Sequence, residues 1–360
     1  MFSWRDIKNP IAGGAETFTH EVSRRWVNWG HEVTLFTAKF SDCKEEEFVD
    51  GVKIIRHGSK YTVFLKARKY YKKEFKGKFD VVIDQINTIP FFTPQFVKSG
   101  EKIFVLIHQL AREYWWYEVK FPLSVIGYFF ELRWLCNNYA NITTLADEST
   151  SHELLDLGFK KVIIHQEGIN MKPLQTLPEK DKNPTIIYLG RLTKAKRPDH
   201  LIKAFQIVKK KIPNAQLWFV GDGYFKKKIE KKGNSLPIFF GKVSEEKKLD
   251  LLRKAWVLVN PSIREGFGLN VIEGNAMGTP AIAYNVPGLN TSIKNGKTGL
   301  LIENGNIQSL ADGILTMIND STLRKKLSEN GLVWSKTFSW ENAAREFINI
   351  IEDEVNREIK

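Results

Sequence analysis

Short runs of β-branched and aromatic residues alternate along this chain with longer stretches in which apolar positions recur every three to four residues. In the first half the short runs are Glu32–Phe36, Val52–Arg56, Val81–Asp84, Ile103–Ile107, Ile142–Leu145 and Val162–His165, and each predicts a strand. Between them, Glu16–Asn28 sets Phe18, Val22 and Trp26 along one face and predicts an amphipathic helix. Strands that alternate with helices imply parallel, doubly wound sheets.

A polar stretch bearing Pro and Lys, Met171 to Pro184, then interrupts the pattern and reads as a linker. The alternation restarts after it. Strands are predicted at Thr185–Leu189, Ala215–Val220, Pro237–Phe240, Val257–Asn260, Pro280–Tyr284 and Gly299–Ile302. Helices are predicted at Pro198–Lys211, Glu245–Ala255 and Leu269–Met277, twice within Ile307–Gly331, and over Trp340–Glu358. We therefore expect an N-terminal domain over 1–168, a linker over 169–184, a second domain over 185–338 and a terminal helical segment over 339–360. In open parallel sheets ligands bind at the carboxyl ends of strands, so the motifs below are expected there, facing a cleft. One feature departs from the pattern. Only Met1–Trp4 precedes the first loop, short for an inner strand, so we expect the natural chain to begin upstream. Intact-mass analysis of native protein showing a start at Met1 would reject this.

A chain of 360 residues, 42% of them hydrophobic, is long enough for two cores. Its net charge of +13 asks for an anionic partner such as phosphate, nucleic acid or an anionic membrane face. Cys43 and Cys136 form no close pair, which argues against a disulfide framework or a zinc site and fits a reducing, cytoplasmic setting. The N-terminus lacks the apolar core of a signal peptide, and the apolar stretch Phe121–Phe130 is too short to span a bilayer.

Several segments carry chemistry. Gly13 and Gly14 open a helix after the first loop, where bare amides and the helix dipole suit an anion, although a tight turn needs the same glycines. Arg191, Lys194, Lys196 and Arg197 follow the strand Thr185–Leu189, where cations suit a diphosphate; a solvated basic loop reads the same way. Glu265-Gly266-Phe267-Gly268-Leu269 leads into a helix that carries Glu273. Eight helical residues span about 12 Å, so two carboxylates flank an anion seat and can each accept hydrogen bonds from hydroxyls. His108 closes the strand Ile103–Ile107 and is either a structural residue or a partner for a sugar hydroxyl; His20, His31, His57, His152, His165 and His200 have no comparable position. Gly221-Asp222-Gly223 lacks the third glycine of a dinucleotide fingerprint, since residue 226 is Lys226, and reads as a turn. Lys60–Lys78 reads as a basic amphipathic helix with Phe64, Ala67, Tyr71 and Phe75 on one side, either lying on an anionic membrane or packed on its own sheet. The aromatics Tyr114–Tyr117, Phe121, Phe129 and Phe130 either line an acceptor site for a lipid or belong to a core.

Taken in order, the Ala12–Glu16 turn, His108, Gly190–Arg197, Gly221–Gly223, Glu265–Ala283 and Asn295–Ile302 resemble the retaining GT-B glycosyltransferases of family 4, across nearly the whole chain. The two glutamates spaced eight apart, with Gly278-Thr279-Pro280 downstream, are the most specific part. The resemblance implies an α/β GT-B fold of two Rossmann-like domains facing across a cleft, with the acceptor on the N-terminal side and the last helix returning to that domain. It implies that Arg191 and Lys196 neutralise the donor diphosphate, and that Glu265 and the amides of Gly266, Phe267, Gly268 and Leu269 hold the donor sugar. Glu273 would hold the ribose, Gly13 and Gly14 would face the donor, and His108 would touch the sugar. It further implies transfer of a hexose with retention to a glycan or lipid-linked acceptor, with a nucleotide sugar as co-substrate and neither cofactor nor metal. UDP-glucose is favoured over GDP-mannose. The expected location is cytoplasmic, at the membrane face if 60–78 touches it. A nicotinamide oxidoreductase or epimerase is disfavoured by the failed fingerprint. A nucleic-acid-binding protein fits the charge, but no recognised module accompanies it.

Overall fold

The computed structural model describes residues 1–98, 100–233 and 236–359; Lys360, the end of the expected terminal segment, lies outside them. The chain forms two units. One comprises Met1–Arg112, Val125–Gly168 and the chain from Ser339 onward; the other comprises Glu113–Ser124 and Ile169–Phe338.

In the first unit α1 (Gly14–Asn28) leads into β1 (Thr34–Thr37), β2 (Glu46–Val49), β3 (Val52–Arg56), α2 (Val63–Tyr70), β4 (Val81–Ile86) and β5 (Lys102–Ile107). After β5 comes α3 (Tyr114–Glu118), which groups with the second unit. The helix α4 (Leu123–Tyr139), β6 (Thr144–Ala146), α5 (Glu148–Asp156) and β7 (Val162–Ile164) follow. The strands β4-β5-β6-β7 form a parallel sheet in that order, and β1-β3-β2 a smaller one in which β2 runs antiparallel. Phe2 lies between the two sheets. Its N–H donates to Ile83 O at 2.8 Å and its carbonyl accepts from Gln85 N at 2.9 Å, while Ser3 N donates to Phe36 O at 3.0 Å.

Strand β2 was not expected. Its sequence, Glu-Glu-Phe-Val, is too charged to read as a buried strand, but it is an edge strand and edges tolerate charge. The signal lay in the turn. Asp50 and Gly51 both have positive φ, 49° and 81°, and join Val49 to its partner Val52, as a two-residue hairpin requires. For the basic segment 60–78 the structure takes the second of the two readings, packing on its own unit. It is α2 followed by a π-helical turn over Tyr71–Phe75. Val63, Ala67, Tyr71 and Phe75 are buried in the core of their own unit, so the apolar face that would have entered a membrane is already covered.

The second unit holds β8 (Thr185–Leu189), α6 (Pro198–Lys211), β9 (Gln216–Val220), α7 (Lys226–Gly233), β10 (Pro237–Gly241), α8 (Glu245–Lys254) and β11 (Val257–Asn260). It continues with α9 (Leu269–Ala276), β12 (Ala281–Tyr284), α10 (Leu289–Ser292), β13 (Gly299–Ile302), α11 (Ile307–Asn319) and α12 (Ser321–Ser335). All its strands are parallel, in the order β10-β9-β8-β11-β12-β13. Every residue of β11 and β12 is buried, because helices cover both faces. Strand order reverses between β8 and β11, and such a switch point is where open α/β sheets bind ligands.

The last helix, α13 (Trp340–Ile359), belongs to the first unit, against α1. Phe18, Val22 and Trp26 meet Ala343, Ala344 and Phe347 there, and Trp26 Nε1 donates to Ala344 O at 2.9 Å. Each large side chain buried in that seam contributes about 2 kcal/mol of burial.

Candidate active site

In the second unit the loops after β8 and β11 meet beside the switch point. Arg197 ends the first loop in the left-handed region, with φ 45°, and Pro198 starts α6. The Gly221–Gly223 turn braces this loop. Gly190 N donates to Val220 O at 3.0 Å and Leu192 N to Asp222 O at 2.9 Å. A Cβ on Gly221 would sit 2.0 Å from Gly190 O, so only glycine permits the approach. The failed dinucleotide fingerprint is thus a buttress for the basic loop.

Lys196 Nζ forms an ion pair with Glu265, and both side chains are largely buried. Glu265 Oε1 also accepts from Ser262 Oγ at 2.8 Å and from Asn260 Nδ2 at 3.3 Å. Asn270 Nδ2 ties this group to β8 by donating to Leu189 O at 2.7 Å. Burial alone would push the Lys196 ammonium down; the Glu265 charge overrides it and holds it above the ordinary value. Burial would likewise raise Glu265, but Lys196, Ser262 and Asn260 hold it below the usual carboxylate range. Both groups therefore stay charged.

Gly268, with φ 87°, caps α9, and a Cβ there would meet Leu289 at 2.9 Å. Among the described residues no acceptor meets the amides of Gly266, Phe267, Gly268 and Leu269 outside the helix ladder. These four donors at a helix N-terminus suit an anion. The Phe267 ring is turned away, packed against Phe338 at 5.3 Å. Glu273, about one turn along α9, pairs with Lys248 of α8 at 2.8 Å. Burial raises its carboxyl and the Lys248 charge opposes that shift. Arg191 is exposed, and its guanidinium meets no acceptor among the described residues. Arg197, by contrast, is occupied by Asn304 at 2.7 Å and the Tyr117 hydroxyl at 2.8 Å.

The helix α3 was missed as part of this site. The Tyr114 hydroxyl donates to Arg264 O at 3.0 Å and its ring lies 5.6 Å from Lys196 Nζ. Glu118 accepts from Ala195 N at 2.9 Å and from the Tyr224 hydroxyl at 2.8 Å. The aromatic run had suggested a core or an acceptor site, and no spacing in the sequence joins residue 114 to residue 264 or residue 248 to residue 273.

In the first unit His108 follows β5 and is 8% exposed. Gln85 Nε2 donates to its Nε2 at 2.8 Å, and the Phe18 ring stands edge-on at 5.3 Å. Burial, helped by His165, pushes its pKa down to about 3, so the ring is neutral. His165 had no recognised position, yet its ring lies 6.1 Å from His108 and burial lowers it to about 4. Glu167 joins them, its carboxyl pushed well up by burial and by Asp147. Among the described residues His165 Nε2 and Glu167 Oε2 are buried without a hydrogen-bond partner. The ligand atoms of His108, His165 and Glu167 lie within 4.8 Å of one another. Two imidazoles and a carboxylate form a donor set that suits a divalent transition metal. Gly13, the N-cap of α1, donates its N–H to Glu16 Oε2 at 2.7 Å, and Arg5 binds the other oxygen of that carboxylate at 2.8 Å. Its amide is thus engaged; Gly14 beside it is exposed.

Two family signatures match. The one described as Glycosyl transferases group 1 covers residues 174–334, and Glycosyltransferase Family 4 covers residues 12–172. An uncharacterized glycosyltransferase of Methanocaldococcus jannaschii is 35% identical over 197 residues, 54% of this chain and 54% of its own length. The chain thus spans about half the length of that curated relative, and 27% of the poly(glycerol-phosphate) alpha-glucosyltransferase of Bacillus subtilis. Among solved structures, sucrose-phosphate synthase of Thermosynechococcus elongatus superposes with a TM-score of 0.80 at 19% identity, covering 99% of this chain and 98% of that one. HepE of Anabaena in complex with UDP-glucose gives 0.73 at 15% identity, covering 98% and 99%.

Proposed function

This chain belongs to the glycosyl transferases of group 1 and family 4, with the GT-B fold, and we propose that it transfers a hexose from a nucleotide-diphosphate sugar to a glycan or lipid-linked acceptor. The observation that carries this reading is the charged pair Lys196–Glu265 beside the unengaged amides of Gly266–Leu269, both at the sheet's switch point. In this reading the β-phosphate takes the amides and Lys196, Arg191 adds a second cation, and Glu265 is freed to accept hydroxyls of the sugar. Negative charge builds on the departing nucleoside diphosphate, and cations already aimed at it stabilise the transition state without reorganising. Glu273, beside a Lys248 charge that opposes the effect of burial, accepts the ribose hydroxyls. In the N-terminal unit, the reading gives neutral His108 a hydrogen-bonding role toward the sugar, and gives Gly14 a place near the donor.

UDP-glucose is the favoured donor, supported by the fold shared with HepE, whose solved complex contains it. Retention of anomeric configuration follows from the family reading, as does a reaction needing no cofactor. Calorimetric titration with UDP, GDP and ADP tests the donor: micromolar binding of UDP with weaker GDP is expected, and the reverse order would favour GDP-mannose. Binding of none of them would overturn the reading. Proton NMR of the first product formed from UDP-glucose tests retention through its anomeric coupling.

A further inference from the structure

Three neighbouring strands of the first unit end in one registered row. Ile107 of β5 pairs with Ala146 of β6, and Ala146 with Ile164 of β7. The next residues are His108, Asp147 and His165, so the parallel sheet delivers three ionisable side chains to one edge, and Glu167 follows two positions on. Adjacent strands lie about 4.8 Å apart, yet the rings of His108 and His165, two strands apart, have centroids 6.1 Å from each other. Both rings therefore lean in over the end of β6. His165 Nδ1 lies 3.2 Å from Gln166 O. A carbonyl only accepts, so the proton sits on Nδ1 and Nε2 is left as a bare lone pair. Among the described residues that Nε2 is buried without a hydrogen-bond partner, as are Glu167 Oε2 and Asp147 Oδ2. Gln85 of β4 places its Nε2 2.8 Å from His108 Nε2, and its own Oε1 is a fourth such atom. Turning that amide over lets Oε1 accept from an Nε2–H, which leaves the other ring nitrogen of His108 to an ion.

We propose that His108, His165 and Glu167 bind a divalent transition metal ion, zinc by their chemistry, with Asp147 adding negative charge beside it. The orphaned atoms select that occupant. His165 Nε2 and the oxygens of ionised Glu167 and Asp147 are all acceptors. One water donates two hydrogen bonds, whereas a cation meets every acceptor at once. In the other unit lysines perform this service for Glu265 and Glu273. Here, among the described residues, no lysine or arginine pairs with Glu167 or Asp147. Two imidazoles and a carboxylate supply zinc with its usual nitrogen and oxygen donors and leave a fourth position open. Magnesium and calcium prefer oxygen ligands throughout. The three ligand atoms lie within 4.8 Å of one another. Tetrahedral zinc holds its ligands about 3.4 Å apart, so side-chain shifts of about an ångström close the site. Zinc binding at this edge is separate from the donor chemistry of the other unit, and its test needs neither nucleotide nor sugar.

The full chain, untagged and stripped with chelator, is titrated with zinc chloride in a calorimeter. One ion is expected to bind with micromolar or tighter affinity. Cobalt(II) in its place should show the visible absorption of a four-coordinate site, and zinc should bleach it. His165→Asn and Glu167→Gln should each weaken zinc binding by about 100-fold or more, at or beyond the about 10–100-fold that loss of an outer-shell partner costs. His108 is left unaltered, because it also has a role toward the sugar in the proposed function. His152→Ala, at an exposed position of α5, should not change the affinity. Circular dichroism verifies that each variant is folded. Zinc should also raise the melting temperature of the wild type and leave that of Glu167→Gln in place. Failure of the folded wild-type chain to bind zinc would overturn the proposal and would leave a protonated Glu167 as the partner of the orphaned acceptors. So would zinc binding that neither variant weakens, or displacement of the ion by an equal concentration of magnesium.

Discussion

The two units solve the same electrostatic problem in opposite ways. In the C-terminal unit each buried carboxylate of the site has its own cation: Glu265 has Lys196, and Glu273 has Lys248. In the N-terminal unit His108, His165, Glu167 and Asp147 are buried, and among the described residues none of them is paired with a cation. Desolvation penalises the charged form of any group. Where a partner outweighs it, as Lys196 does for Glu265, charge survives at low dielectric and can be redirected to an incoming anion; Lys248 opposes the rise at Glu273 without cancelling it. Where none does, burial favours the neutral form: the imidazoles drop to about 3 and about 4, and the Glu167 carboxyl rises. The first cluster is suited to phosphate, the second to hydrogen bonding or to a metal ion.

The largest expected effect tests the paired cluster. Lys196→Ala should lower kcat with a nucleotide sugar by about 10²–10³, as loss of one preorganised charge stabiliser does, with a much smaller change in KM. An unchanged kcat would break the comparison at its strongest point. Next, Glu273→Ala should weaken UDP binding about 10–100-fold in calorimetry, since hydrogen bonds to a charged acceptor are worth about 1.5–3 kcal/mol.

A smaller effect sharpens the contrast between paired and unpaired groups. Lys248→Met leaves the burial of Glu273 unopposed, so its carboxyl should titrate closer to neutrality. UDP binding should then weaken several-fold more at pH 6 than at pH 8, roughly as one proton is taken up, with a shallower slope in the wild type. Equal pH profiles would mean that Lys248 is only structural. The smallest effect lies in the N-terminal unit. His165 is neutral when folded but takes up a proton below its ordinary value when unfolded. The unfolded chain then holds more protons, so stability falls as pH drops from about 6.5 toward 4, by at most about 1.4 kcal/mol per unit for one group. Glu167 acts oppositely, losing stability as pH rises above its unfolded value. His165→Asn should flatten the acid-side decline in the melting temperature; an unaltered slope would remove His165 from the neutral cluster.

Much of the C-terminal unit was legible. Strands Thr185–Leu189, Val257–Asn260 and Gly299–Ile302 and helix Pro198–Lys211 have the expected bounds. Buried parallel strands are continuous apolar runs, and glycines and prolines punctuate them. The Glu265–Glu273 segment was legible for the same reason, being a local strand-turn-helix pattern. The N-terminal unit was harder. Its edge strand is charged, and its basic helix hides its apolar face. The aromatics of α3 and α4 divide: Trp115 is buried, whereas Phe129 is exposed.

The sequence by itself determined what depends on near neighbours: the period of each element, the turns that glycine permits, and the chemical kind of each loop at a strand end. Only the tertiary structure decided which charges meet. Lys196 reaches Glu265 across 69 positions, Lys248 reaches Glu273 across 25, and Tyr114 reaches Arg264 across 150. The same holds for His165 beside His108 and for the engaged amide of Gly13. Protonation and pairing depend on burial and on distances of a few ångströms between elements. Those quantities arise when the sheets and helices pack, and no local spacing encodes them.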